Sequence, residues 1–270
     1  MSDVTTHLKE LESKSIYILR EALNQFKKPA CLWSVGKDST TSLWLARKAF
    51  FGKIPFPVIH VDTGYKFPEM YSFRDKIAKE WGIDLIVAEN QEAKKAGMGP
   101  DKSHLECCTA LKTLALKKLL EKEKFDCLIV SIRRDEHGIR AKERYFSPRD
   151  KEFKWDYKNQ PAEMWNMFGS LSKEDDHMRV HPILHWTELD VWEYIKAENI
   201  PVNPMYFAKD GKRYRSLGCM PCTQPIDSTA DTIEKIVEEL KTTTVAERSG
   251  RDQDKEKAFM MQKLRTLGYM

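Results

Sequence analysis

The chain has 270 residues, 41% of them apolar, and its 45 Lys and Arg nearly balance 41 Asp and Glu. The formal charge of +4 is spread without a basic arm, so charge gives no signal for nucleic acid, and the length allows one large core with a C-terminal extension. No apolar run approaches about 18 residues and residues 1–26 hold no apolar stretch behind a basic start, which points to a cytoplasmic protein without a membrane span.

In chain order, Leu8, Leu11, Ile16, Leu19, Leu23 and Phe26 predict a lead-in helix over residues 1–26. Four short apolar or β-branched runs then read as strands: Ala30 to Trp33, Val58 to Val61, Leu85 to Ala88 and Cys127 to Ile132. Helix patterns separate them at Thr40 to Phe51, Glu69 to Trp81 and Cys108 to Lys122. Such alternation predicts a Rossmann-like α/β core over residues 27–145, a parallel sheet with helices on both faces and ligand loops at the carboxyl ends of its strands. Residues 146–270 read as a loop-rich segment followed by a smaller, mostly helical lobe. It holds a strand-like Arg179 to Leu184, a helix opened by Thr187, and amphipathic helices at Asp231 to Leu240 and Lys255 to Leu267.

The first strand runs into Ser34-Val35-Gly36-Lys37-Asp38-Ser39, a strand-to-helix turn suited to phosphate. Gly36 permits close backbone approach, first-turn amides lack intrahelical partners, the helix dipole favours an anion, and Lys37 adds a point charge. It is not a Walker A loop, because no Gly stands five residues before Gly36 and Asp38 follows the lysine. Asp62-Thr63-Gly64 lies at another strand end, where Asp62 suits a magnesium ion through water or, alternatively, caps its own turn. Arg133, Arg134, Arg140, Lys142 and Arg144 follow a further strand. They suit sulfate or phosphate, with Arg133 and Arg134 the foremost candidates, unless they are a solvated face laced by Asp135, Glu136 and Glu143.

Six cysteines in an unsecreted chain argue for metal or redox chemistry over a disulfide framework. Cys31 and Cys127 fall inside strands and read as small apolar core residues. Cys107-Cys108 and Cys219-Met-Pro-Cys222 pair a vicinal dithiol with a C-x-x-C. A [4Fe-4S] cluster, a zinc ion and redox-inert or disulfide-forming thiols all remain open; adjacent cysteines ligate two irons of one cubane more readily than they share a tetrahedral zinc. His177, His181 and His185 recur every four residues, but Pro182 makes the segment extended, so they read as structural.

Taken together, Ser34 to Ser39, His60-Val-Asp-Thr-Gly64, Arg133 to Glu136, Arg140 to Arg144, Trp186 to Trp192 and Glu247-Arg-Ser-Gly-Arg251 resemble the PP-loop ATP pyrophosphatases of the phosphoadenylylsulfate reductase-like superfamily. Within these the chain is most similar to the small-subunit family of bacterial sulfate adenylyltransferase, along nearly its whole length. Val35 stands where many PP-loop enzymes carry a second Gly. The resemblance implies an adenine nucleotide α-hydrolase fold and cleavage of ATP, with Mg²⁺, between its α and β phosphates. Ser34, Val35, Gly36, Lys37, Asp38, Ser39, Asp62, Thr63 and Gly64 would then bind the nucleotide, and Lys37, Asp38, Arg133 and Arg134 would be catalytic. It also implies a GTPase large subunit as partner. The Cys107, Cys108, Cys219 and Cys222 set resembles that of the adenylylsulfate reductases, whose C-terminal attacking cysteine this chain lacks. A second reading follows from the thiols: an iron–sulfur PP-loop enzyme that activates nucleic acid for sulfur insertion, in DNA phosphorothioation or tRNA thiolation, with a cysteine desulfurase partner. The short Asp210-Gly211 turn stands where the usual small subunit carries a longer insertion, and self-association stays open.

Overall fold

The computed structural model describes residues 5–138, 140–160, 162–165, 168 and 177–251. The expected helix from Lys255 to Leu267 lies outside them. Helix α1 (Thr6–Gln25) leads in, capped by Thr5, and buries Leu8, Leu11, Ile18 and Leu19. Strand β1 (Pro29–Leu32) and helix α2 (Lys37–Ala49) follow, then β2 (Val58–Val61), α3 (Pro68–Trp81) and β3 (Leu85–Ala88). After short α4 (Gln91–Lys95) comes one long helical stretch. It comprises α5 (His104–Cys108), a π-helical turn at Thr109–Thr113 and α6 (Leu114–Glu123), and it leads to β4 (Cys127–Ile129).

Strand order β3-β2-β1-β4-β6-β5 makes a six-stranded sheet, parallel except at one edge. β5 (Phe146–Arg149) falls almost wholly in the stretch expected to be loop-rich, and β6 (His177–Val180) overlaps the strand expected from Arg179 to Leu184, so the sheet is completed from beyond residue 145. β1, β2, β4 and β6 are buried at every position, as strands covered on both faces must be, and the apolar runs supply that burial. The chain steps from β1 outward to β3 and then returns to the other side of β1. With right-handed crossovers, that reversal puts α2 and α3 on one face and α5–α6 on the other. It also opens a crevice between β1 and β4 at their carboxyl ends, the usual ligand position in such sheets.

The C-terminal part packs α7 (Glu188–Glu198) against α2 and against α8 (Ile233–Thr242), with a ribbon of β7 (Lys212–Arg213) and β8 (Ile226–Asp227). A reciprocal Thr187/Asp190 capping box starts α7. Asp210 and Gly211 both take positive φ, 53° and 75°, closing a two-residue turn between Lys209 and Lys212.

Candidate functional site

The crevice becomes a cleft floored by Leu32, Val61, Val130 and Ile132, apolar residues at the ends of β1, β2 and β4. Its polar lining is unbalanced: Lys37, Lys66, Lys112, Arg140, Arg248 and Arg251 face only Asp38, Glu136 and Glu247. Six cations against three carboxylates suit a polyanion beside an apolar floor suited to a base.

The turn between β1 and α2 is tightly held. Trp33 Nε1 donates to Thr40 Oγ1 (3.1 Å), Ser34 Oγ and Ser39 Oγ share a hydrogen bond (3.1 Å), and Ser39 Oγ donates to Gly36 O (3.1 Å). Val35 is fully buried at φ 67°, a left-handed conformation that a β-branched residue adopts only under strain. Gly36 N-caps the helix, and a Cβ there would stand 3.3 Å from the Tyr206 hydroxyl. Lys37, Asp38 and Ser39 are therefore its first-turn residues, three positions earlier than the periodicity predicts, and the Lys37 N–H donates to Tyr206 OH (2.9 Å). Tyr206 is itself set by an edge-on contact with buried Trp192 (5.4 Å).

Beneath the turn lies a buried ionic lattice. Lys37 Nζ donates to Asp38 Oδ2 (3.1 Å) and to Glu247, with Glu188 at 4.0 Å. Arg133 donates to Asp38 Oδ1 (2.6 Å), Asp135 Oδ1 (2.6 Å) and Glu247, and Arg215 clamps Glu188 (2.7 Å at the shortest). Burial alone would discharge Lys37, but the carboxylates of Asp38, Glu247 and Glu188 outweigh it and hold the ammonium charged. Burial likewise opposes the Glu247 carboxylate, and Arg133 and Lys37 hold its pKa well below the usual range.

The expected residues divide accordingly. Ser34, Gly36, Lys37, Asp38 and Ser39 line the cleft. Arg133 is brought to them but is saturated by three carboxylates. Arg134 turns away, donating to Glu143 O (3.4 Å) with its guanidinium over the Tyr145 ring. Arg140 and Arg248 share Glu136 at the cleft wall. Asp62 Oδ1 caps its own turn, accepting from Gly64 N–H (2.8 Å) and Tyr71 OH (2.7 Å). Thr63 stands 3.3 Å from Cys219 Sγ.

Cys31 and Cys127 are core residues whose thiols burial pushes up, Cys31 to about 12. The other four share one neighbourhood. Burial and then the charges of Cys108, Cys219 and Cys222 push the half-buried Cys107 up to about 12. Cys219 goes the opposite way, to about 6, because Lys112, Lys66, the Thr63 hydroxyl and Arg251 overcome its burial. Among the described residues no three His, Cys, Asp or Glu side chains are gathered as a single metal ion requires. His177, buried, His185, partly buried, and His181, bonded to Arg144 O (2.9 Å), stay structural.

Tyr206, Glu188, Glu247, Lys66, Lys112 and Arg251 were not singled out by sequence. Glu247 and Arg251 lie in a motif that carried the resemblance, so a signal existed; Lys66 and Lys112 had none.

A parallel sheet with an anion-binding turn at its switch point defines an α/β nucleotide-binding protein of the PP-loop class. In agreement, residues 28–225 match the phosphoadenosine phosphosulfate reductase domain. The chain belongs to the sulfate adenylyltransferase subunit 2 family. It is 44% identical to the Bacteroides fragilis member over 98% of this chain and 97% of the other, and 42% identical to the Acinetobacter baumannii member over the same shares. The first alignment spans 298 positions against 270 residues here, so that relative carries residues this chain lacks. In fold, the chain resembles a phosphoadenylyl-sulfate reductase from Candida auris in its phosphate complex. The TM-score is 0.56 at 16% identity, covering 83% of this chain and 99% of the other.

Proposed function

We propose that this protein catalyses adenylyl transfer from MgATP to sulfate. A sulfate oxygen bonds to the α-phosphorus, the bond from that phosphorus to the β-bridging oxygen breaks, and its electron pair leaves with pyrophosphate. The observation that carries this reading is the cationic cleft at the phosphate turn, in a chain whose relatives at 42–44% identity are named as sulfate adenylyltransferase subunit 2. The Gly36 amide, the Ser34 and Ser39 hydroxyls and Lys37 Nζ would hold the departing pyrophosphate, with Lys37 Nζ exchanging Glu247 for phosphate. Arg133 acts as a positioning residue through Asp38 and Glu247. Because forming a sulfate–phosphate anhydride is steeply uphill and the chain has no Walker A loop, a GTPase large subunit is the proposed partner, in the cytoplasm. Among the described residues no helix is long and apolar enough to cross a membrane. Pyrophosphate exchange into ATP tests the reading. Sulfate should stimulate it, and products of ADP and orthophosphate, or indifference to sulfate, would overturn it.

The nucleic-acid acceptor is not favoured by these relatives, and one feature of it survives separately. The convergence of Cys107, Cys108, Cys219 and Cys222, with cations around Cys219, supports an iron–sulfur cluster as a second assignment. These four would be its ligands, and the chemistry it supplies is electron storage or structural bracing. Iron content of anaerobically purified protein tests it.

A further inference from the structure

We propose that Tyr206 is a further catalytic residue, whose hydroxyl donates a hydrogen bond to the departing pyrophosphate; this rests on the adenylyl-transfer reading of the cleft. Tyr206 belongs to the C-terminal part, 169 residues beyond Lys37, yet it lines the cleft and its hydroxyl oxygen accepts from Lys37 N–H (2.9 Å).

Accepting that amide leaves the hydroxyl's own hydrogen unspent. Tyr206 is 1% exposed, and among the described residues the Lys37 amide is the one hydrogen-bond partner of its oxygen. A buried O–H without an acceptor is unfavourable, so a phenol in this position calls for an acceptor in the cleft beside it. Its neighbours there, Ser34, Gly36 and Ser39, are those of the phosphate turn. The first-turn amide that a phosphate would ordinarily meet at Lys37 is already taken by the phenol oxygen. Tyr206 therefore relays the helix terminus. The N–H polarises the O–H, and a hydroxyl polarised in this way is a stronger donor than a free one.

The hydroxyl is fixed by its surroundings. Asn203 caps the short helical turn Pro204–Tyr206, accepting from Met205 N–H (3.0 Å), and Tyr206 N–H donates to Asn203 O (3.2 Å). Tyr214 N–H holds the same turn through Met205 O (3.0 Å). The ring stands edge-on to Trp192, itself buried in α7. Withdrawing such a side chain to free the Lys37 amide would open packed core, whereas donating from where it stands disturbs nothing. A donor already in place stabilises the charge that grows on pyrophosphate as the bond to the α-phosphorus breaks, because no dipole has to reorient. Burial, opposed by Lys37 and reinforced by Asp38, holds the phenol above its ordinary pKa, so it stays protonated at neutral pH. The hydrogen is shared with the leaving group and is not transferred.

Tyr206→Phe keeps the ring against Trp192 and removes only the donor. Inorganic pyrophosphate with Mg²⁺, titrated calorimetrically into the full chain, should bind this variant roughly ten- to hundredfold more weakly than wild type. AMP, which lacks the leaving phosphates, should bind as before, and Tyr17→Phe on the exposed side of α1 should change neither. In sulfate-stimulated exchange kcat should fall with the KM for sulfate unaltered. Replacing Tyr206 by difluorotyrosine separates a donor from a merely structural hydroxyl, because the fluorines acidify the phenol. Pyrophosphate affinity should then be kept at neutral pH and be lost at a lower pH than in wild type, as the ionised oxygen repels the anion. Pyrophosphate affinity unchanged in Tyr206→Phe, or indifferent to fluorination at every pH, overturns the assignment. Tyr206-dependent pyrophosphate binding with exchange that ignores sulfate leaves the donor standing and removes the adenylyl-transfer reading instead.

Discussion

Glu247 accepts a hydrogen bond from Lys37 with one carboxylate oxygen and from Arg133 with the other, joining the phosphate turn to a segment 210 residues further along the chain. Every member of this contact is buried. Its geometry therefore decides both how the C-terminal segment docks and what a phosphate must displace. Replacing Glu247 by Gln removes one carboxylate from each of two buried cations, which keep Asp38 between them, and should cost on the order of 1–3 kcal/mol of unfolding free energy, read as a lower urea midpoint. Lys37→Met should also destabilise, by orphaning the carboxylates. The double variant should recover part of the stability while adenylyl transfer stays depressed by on the order of 2–4 kcal/mol in the barrier. Strictly additive losses would show that the pair is not coupled.

Gly250 is needed for close approach. A Cβ there would lie 2.5 Å from the carbonyl oxygen of Gln224, whose own N–H donates to Gly250 O (2.8 Å). Backbone cannot move aside as a flexible side chain can, so Gly250→Ala should cost about 1–3 kcal/mol and loosen the segment that carries Glu247 and Arg251. Limited proteolysis should cut the variant near residue 245 faster than wild type, with the KM for ATP raised. An unchanged cleavage rate would mean that the segment is held elsewhere.

The sheet was legible because apolar runs of four residues alternating with helical periodicity admit few other arrangements, and the phosphate turn was legible because local backbone chemistry defines it. Its neighbours were not. Arg133 and Arg134 are adjacent in sequence, yet one enters the ionic lattice and the other lies over Tyr145, a difference set by the path of the chain after β4. Lys66 and Lys112 are two among 45 basic residues; only a π-helical turn and a loop crossing bring them to Arg251. β5 was obscured because it pairs antiparallel at the sheet edge, where alternation carries little signal, whereas β6 overlaps the strand expected from Arg179.

Two buried histidines and one partly buried make stability depend on mild acid. Burial first, aided by Lys66 and Arg74, lowers His60 to about 4; burial with Arg179 and Arg149 lowers His177 to about 3; burial with Lys14 and Arg134 lowers His185 to about 4. A base with a depressed folded pKa leaves the unfolded chain binding more protons between the two values. Stability is therefore present above about pH 6.5 and is lost progressively toward pH 4 and 3. His60 alone should contribute on the order of 3 kcal/mol to that loss. Urea midpoints should fall between pH 7 and 5, and more gently in His60→Asn, whose amide can still donate to the Trp33 carbonyl that His60 Nδ1 meets at 3.0 Å. A flat profile would show that these rings are hydrated.

The cysteine assignment makes the sharpest demand, because it joins two distant parts of the chain. If Cys107, Cys108, Cys219 and Cys222 hold a cubane, protein purified without oxygen should be brown and carry about four irons per chain. Each of those four changed to Ser should bleach it, whereas Cys31→Ser and Cys127→Ser, in the strands β1 and β4, should spare the colour. The Cys219 turn is bound to the end of the described chain through the Thr223–Arg251 bridge and the Gln224–Gly250 hydrogen bond. Removing iron should therefore loosen the same segment that Gly250→Ala loosens, exposing it to protease before the sheet unfolds. Sulfate-dependent exchange should weaken with it, since Arg251 and Glu247 ride on that segment. Colourless, fully active protein from an iron-replete anaerobic preparation would remove the cluster and leave Cys219 as a thiolate among Lys66, Lys112 and Arg251.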